Sequence, residues 1–76
     1  MRQTIIGILQ DFNEDADYEN EQRLIDEGII DSLDLTAIIR ELEEAFSVRI
    51  DPSQLVPKNF NSVDAIMEML RRIKGE

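Results

Sequence analysis

The sequence predicts an all-α fold, a small four-helix bundle with three longer helices and one short one. Three observations predict it. Apolar residues recur at helical spacing in three separate stretches. No run alternates with period two for long enough to make a strand. The 76 residues suffice for one domain, read as 1–76, and not for two.

The first helix is carried by Ile5, Ile6, Leu9 and Phe12, with Ile8 beside them and Thr4 as its expected cap. Gly7 weakens it by up to roughly 1 kcal/mol relative to Ala. The second helix buries a stripe of Leu35, Ile38, Ile39, Leu42, Ala45 and Phe46. Arg40, Glu41, Glu43 and Glu44 lie off that stripe or at its edge. Asp31 is placed to cap this helix, and Asp34 falls in its first turn, where negative charge suits the dipole.

Next comes "SVRIDPSQLVPKNF", in which Asp51 followed by Pro52 reads as a cap and first helical position. The short helical turn is expected at Pro52 to Leu55, ended by Pro57. Val48, Ile50, Leu55, Val56 and Phe60 are expected to point inward. The last helix carries Val63, Ile66, Met67, Leu70 and Ile73. Asn61 is its expected cap, paired with Asp64 in a capping-box-like arrangement. Arg71, Arg72 and Lys74 crowd its final turn, where cations suit the dipole, and Gly75 follows. The first connection, about residues 13–30, is long for a bundle whose links typically run about 2–8 residues. Leu24, Ile25, Ile29 and Ile30 are its expected anchors, and Tyr18 is expected to pack locally.

Charge narrows the function. Between Asp11 and Asp34 stand ten acids and one base, so the whole net charge of −9 lies in one connected third of the chain. Such a surface repels nucleic acid and anionic membranes and attracts basic patches on proteins. The chain has no Cys and no His, which removes a thiol nucleophile and the commonest general base. "TIIGIL" is too short to span a bilayer and lacks a cleavage-site pattern, so the protein reads as cytoplasmic and not inserted in a membrane. It also reads as a monomer. Asp11, Asn13, Asp15 and Asp17 match the opening of a calcium loop, but Ala16 replaces the sharp-turn Gly and Gln22 the bidentate Glu. No metal site is assigned there.

Taken alone, "DSLD" is a helix start of an ordinary kind. A hydroxyl at the positive end of a helix is also a suitable place for a phosphate ester. The longer stretch "RLIDEGIIDSLDLTAIIRELEEAF" resembles the segment around the modified serine of acyl carrier proteins. The likeness covers most of the chain: amphipathic helix, long acidic loop, serine-headed helix, short helix after "RID", final helix from "NSVDAI". It implies that Ser32 takes a 4′-phosphopantetheine arm from coenzyme A through a phosphodiester bond. The arm's thiol then carries an acyl group as a thioester for lipid, fatty acid or polyketide enzymes. A reactive sulfur supplied by the cofactor fits a chain without Cys. By the same likeness Asp31, Leu33 and Asp34 are read by phosphopantetheinyl transferases. Glu43 and Glu44 match acids that meet Arg and Lys on acyl-loading and acyl-processing enzymes.

Two departures from fatty-acid carriers stand out. Ala37 replaces a usual Glu, and Arg40 replaces an exposed apolar residue. "LIDEGIIDS" is similar to D-alanyl carriers, which makes an aminoacyl or peptidyl carrier the alternative, although Asp34 stands where those carriers commonly have Gly. A cofactor-free acidic adaptor for a basic protein is the other alternative. An enzyme is not expected, because Ser32 has no His to activate it.

Overall fold

The computed structural model describes residues 1–75. Its elements in order are α1 (Arg2–Gln10), α2 (Ser32–Phe46), a 3-10 turn (Pro52–Gln54), α3 (Pro57–Phe60) and α4 (Val63–Lys74). There is no strand among the described residues. The expected bundle of three longer helices and a short one is therefore present. α1 packs on both α2 and α4, and α3 packs on α4.

The core follows the periodic residues. Ile5, Leu9, Leu24, Ile38, Leu42, Phe60, Val63, Ile66, Met69 and Leu70 are almost wholly inaccessible. The stripe of α2 is narrower than expected: Leu35, Ile39 and Phe46 are half-buried and Ala45 is exposed. On α4 Met69 is the buried methionine, while Met67 is half-buried.

Several expectations change at the helix ends. Thr4 lies inside α1, whose cap position is Met1 with no side-chain cap. The turn after Asp51 is 3-10 and ends at Gln54, with the Asp51 carboxylate accepting the Ser53 N–H at 2.8 Å. That bond holds the Asp51 carboxyl below its ordinary range. Pro57 opens α3 rather than ending anything, as suits a residue with a preset φ and no N–H. Leu55 and Val56 are 42% and 36% exposed, not inward. The 3-10 turn closes on itself through Leu55 N–H to Pro52 O, which leaves those two side chains on the outside of the link.

Asn61 does not cap α4; Ser62 does, its hydroxyl accepting the Ala65 N–H at 3.0 Å. Asn61 is committed elsewhere. Its carbonyl Oδ1 accepts the N–H groups of Ile25 (2.9 Å) and Asp26 (3.1 Å), and its backbone carbonyl accepts that of Leu24. One residue thus hangs the acidic connection on the start of α4. Gly28, at φ 74, turns the chain so that Ile30 returns its N–H to Leu24 O. Asn61→Ala is expected to leave the Ile25 and Asp26 amides unpaired and cost about 1–3 kcal/mol. Hydrogen exchange should speed selectively at those two amides; unchanged protection there would refute the clamp.

Arg2 adds a second tie, pairing with Asp64 on α4 and with Glu19 of the connection. These ion pairs raise its pKa further, Asp64 contributing most. Tyr18 is a core residue, 3% exposed, and its hydroxyl donates to the carbonyls of Leu9 and Asn13. Burial pushes its phenol above the ordinary 10.0, and the charge of Asp34 pushes the same way. The folded state therefore holds this proton more tightly than the unfolded chain. The stabilisation is complete below about pH 10 and is lost as pH rises through the folded value. Urea unfolding from pH 8 to 11 should show the wild-type advantage over Tyr18→Phe shrinking above pH 10; a constant gap would contradict it.

Candidate functional site

The start of α2 is built by local chemistry. Asp31 is extended (φ −94, ψ 178), and its Oδ1 accepts the Asp34 N–H at 2.8 Å. Its expected role as cap is the observed one. This bond consumes one of the free amides of the first turn and holds the helix start in one conformation. Ser32 is the first residue of α2 and is exposed. Among the described residues its hydroxyl makes no hydrogen bond, so Ser32 is not spent on capping.

Behind it, Thr36 Oγ donates to the Ser32 carbonyl at 3.1 Å. Sequence reading missed this contact, although the spacing of four residues was its signal. Leu33 is 84% exposed, the most exposed large apolar side chain described. Asp34 is half-buried and close enough to Tyr18 to affect its proton.

The two acids farther along α2 differ. Glu44 is exposed. Glu43 is half-buried, and its Oε2 accepts the Ile50 N–H at 2.8 Å. Its carbonyl also accepts the N–H groups of Ser47 and Val48, with Ser47 left-handed at φ 54. Glu43 thereby fastens the chain that leaves α2. Asp31, Ser32, Leu33 and Asp34 stand together at the head of the helix, while Glu43 and Glu44 lie about three turns on.

Two side chains of the acidic connection bond within it. Asn13 Oδ1 accepts the Asp15 N–H, and Asp17 Oδ2 accepts from the Asn20 amide. No group of three or more potential metal-binding side chains converges among the described residues. A cleft of about 340 Å³ lies on α3 and α4, lined by Lys58, Asn59, Ala65, Glu68 and Arg72, and no residue of α2 contributes to it. No helix among the described residues is long and apolar enough to cross a membrane.

The head of α2 fits a covalent phosphodiester in two respects. The hydroxyl is accessible and unbonded, and the amides of the first turn not taken by Asp31 face the positive end of the helix dipole. Asp31 and Asp34 do not ligate an anion; they make the rim around Ser32 acidic.

Comparison with known proteins identifies the family of the chain. The family model described as "Phosphopantetheine attachment site" matches residues 3–72. The D-alanyl carrier protein of Lactococcus lactis subsp. lactis (strain IL1403) is 30% identical over 82 aligned positions, covering 100% of this chain and 99% of that protein. The D-alanyl carrier protein of Streptococcus uberis (strain ATCC BAA-854 / 0140J) is 30% identical, covering 84% and 81%. That of Lactococcus lactis subsp. cremoris (strain MG1363) is 32% identical, covering 87% and 86%. No solved structure matches significantly. The family match over residues 3–72 and a relative aligned almost end to end place this chain in the phosphopantetheine-attachment family of carrier proteins, with 4′-phosphopantetheine as its covalent cofactor and D-alanyl carriers among its relatives.

Proposed function

We propose that Ser32 bears the phosphopantetheine arm and that the arm carries an aminoacyl group, of D-alanyl kind by likeness to the relatives. The single observation that carries the first half is the exposed, unbonded Ser32 hydroxyl at a capped helix start inside the family match. When bound, the arm supplies the terminal thiol on which cargo rides as a thioester. The residues of the chain do the rest. Asp31 holds the helix start rigid through the Asp34 amide, Thr36 braces the Ser32 carbonyl, and Leu33 offers an apolar handle to the incoming enzyme.

The sequence reading put an acyl cargo for lipid or fatty acid enzymes first and an aminoacyl cargo second. The names of the relatives support the reverse order. Asp34, where aminoacyl carriers commonly have Gly, is the observation that keeps the acyl cargo as the second reading.

In this reading the whole chain is one monomeric, non-catalytic carrier domain working in the cytoplasm. Its partners are a phosphopantetheinyl transferase and loading or accepting enzymes with basic patches. They meet the acids of α2, namely Asp31 and Asp34 beside Ser32 and Glu43 and Glu44 farther on. Glu43 is the least available of these, because it is tied to the Ile50 amide. The cargo is tested by offering the pantetheinylated protein to a D-alanine-activating ligase and to an acyl-activating ligase, each with ATP, and reading intact mass. Mass gain with D-alanine alone supports the aminoacyl reading; gain with the fatty acid alone replaces it with the second.

A further inference from the structure

The outer face of α2 carries one charge of opposite sign to the rest. At 3.6 residues per turn, Leu33, Ala37, Arg40 and Glu44 fall on one stripe, turned away from the buried Ile38 and Leu42. Arg40 is the one basic residue of the helix, which also carries Asp34, Glu41, Glu43 and Glu44; of these acids Glu44 shares its stripe. It is exposed and, among the described residues, enters no ion pair.

The neighbours that would ordinarily neutralise it are occupied or unengaged. Glu43, three residues on, points its carboxylate at the Ile50 amide at 2.8 Å. Glu44, four residues on, is exposed and unbridged. An unpaired surface guanidinium contributes little to folding. Its influence falls on what approaches the helix, because charges at a docking face set encounter rate and register.

We propose that Arg40 is a specificity-determining residue: it favours a partner enzyme that presents a carboxylate opposite it, and it disfavours partners whose docking face is uniformly basic. The inference rests on the reading of Ser32 as attachment point and α2 as docking face. Helix rise fixes the matching pattern. From Leu33 to Arg40 is about 10 Å along the axis, and from Arg40 to Glu44 about 6 Å. The partner therefore offers an apolar recess for Leu33, a carboxylate about 10 Å along, and a cation about 6 Å beyond. The planar guanidinium can meet that carboxylate through two parallel hydrogen bonds, which sets register as well as sign.

The test uses a broad-specificity phosphopantetheinyl transferase with a basic docking face, coenzyme A, and three full-length carriers: wild type, Arg40→Ala and Arg40→Glu. Intact mass follows conversion of Ser32. At low salt, kcat/KM is expected to rise about three- to tenfold in Arg40→Glu, with Arg40→Ala between, and the three should converge at about 0.5 M salt. The basic residues of the transferase face are then reversed to Glu one at a time. One of these variants is expected to prefer wild type over Arg40→Glu. Melting curves establish that the carriers are equally folded. Equal rates for all three carriers at low salt overturn the role of Arg40 and leave the Ser32 reading standing. No mass gain on any carrier overturns the Ser32 reading, and this inference with it.

Discussion

Ser32→Ala is expected to gain no mass when incubated with coenzyme A and a promiscuous phosphopantetheinyl transferase, while wild type converts fully. The loss should be complete, because the arm needs an oxygen at this atom and the neighbouring carboxylates of Asp31 and Asp34 cannot replace it. The substitution isolates chemistry from folding. Ser32 is exposed and makes no side-chain hydrogen bond among the described residues, and the Asp31 cap bonds to Asp34 rather than to Ser32. Alanine is the best helix former, so stability should move by less than about 0.5 kcal/mol. A melting curve that overlays wild type, together with a missing mass gain, is the expected pair. A gain that persists in Ser32→Ala would move the attachment point elsewhere, and no gain in wild type would favour the cofactor-free adaptor.

The second large effect is on stability. Phe60→Ala should cost about 3–5 kcal/mol, since a fully buried aromatic ring is removed and the surroundings relax only partly. A domain of this size is stable by only about 4–11 kcal/mol, so a large share of the total is lost. The melting temperature should fall by roughly 15–30 °C. Phe60 sits in a helix of four residues, too short to hold itself. The ring is what fastens α3 to the core against α4, so its loss should also free the 52–60 segment before the rest. Urea and thermal unfolding measure the first effect, and hydrogen exchange at Asn59 the second. Leu55→Ala, at a side chain 42% exposed, is the control and should shift stability little. Comparable losses in both variants would show that the link, and not the ring, sets the effect.

How legible the protein was depends on the range of the interaction that decides each feature. Leu42, Ile66 and Leu70 were readable as core, because a periodic stripe on a helix must be buried against something. Asp31 was readable as a cap, because the bond it makes reaches only three residues. Ser32 was noticeable because it stands between two aspartates at the start of an apolar helix, in a stretch that resembles a carrier's modified serine. Asn61 was the expected cap of α4, but the neighbouring Ser62 takes that role. The choice was made 35 and 36 residues away, where the amides of Ile25 and Asp26 needed an acceptor that only the longer Asn side chain supplies.

Tyr18 and Glu43 follow the same logic. Tyr18 was expected to pack locally in the acidic run, but what buries it in the core is a hydroxyl that reaches the carbonyls of Leu9 and Asn13. Glu43 looks like a free docking acid until Ile50 turns back over it. The amino-acid sequence by itself determined the three longer helices, most of their apolar faces, the concentration of charge and the serine at the head of α2, since each depends on residues within a few positions. Tertiary structure alone decided what Asn61 was used for, which acid of α2 stayed available and where the long connection was tied down. Those outcomes hang on backbone amides that find a side-chain acceptor, and the acceptor is chosen by where the fold brings the chain together.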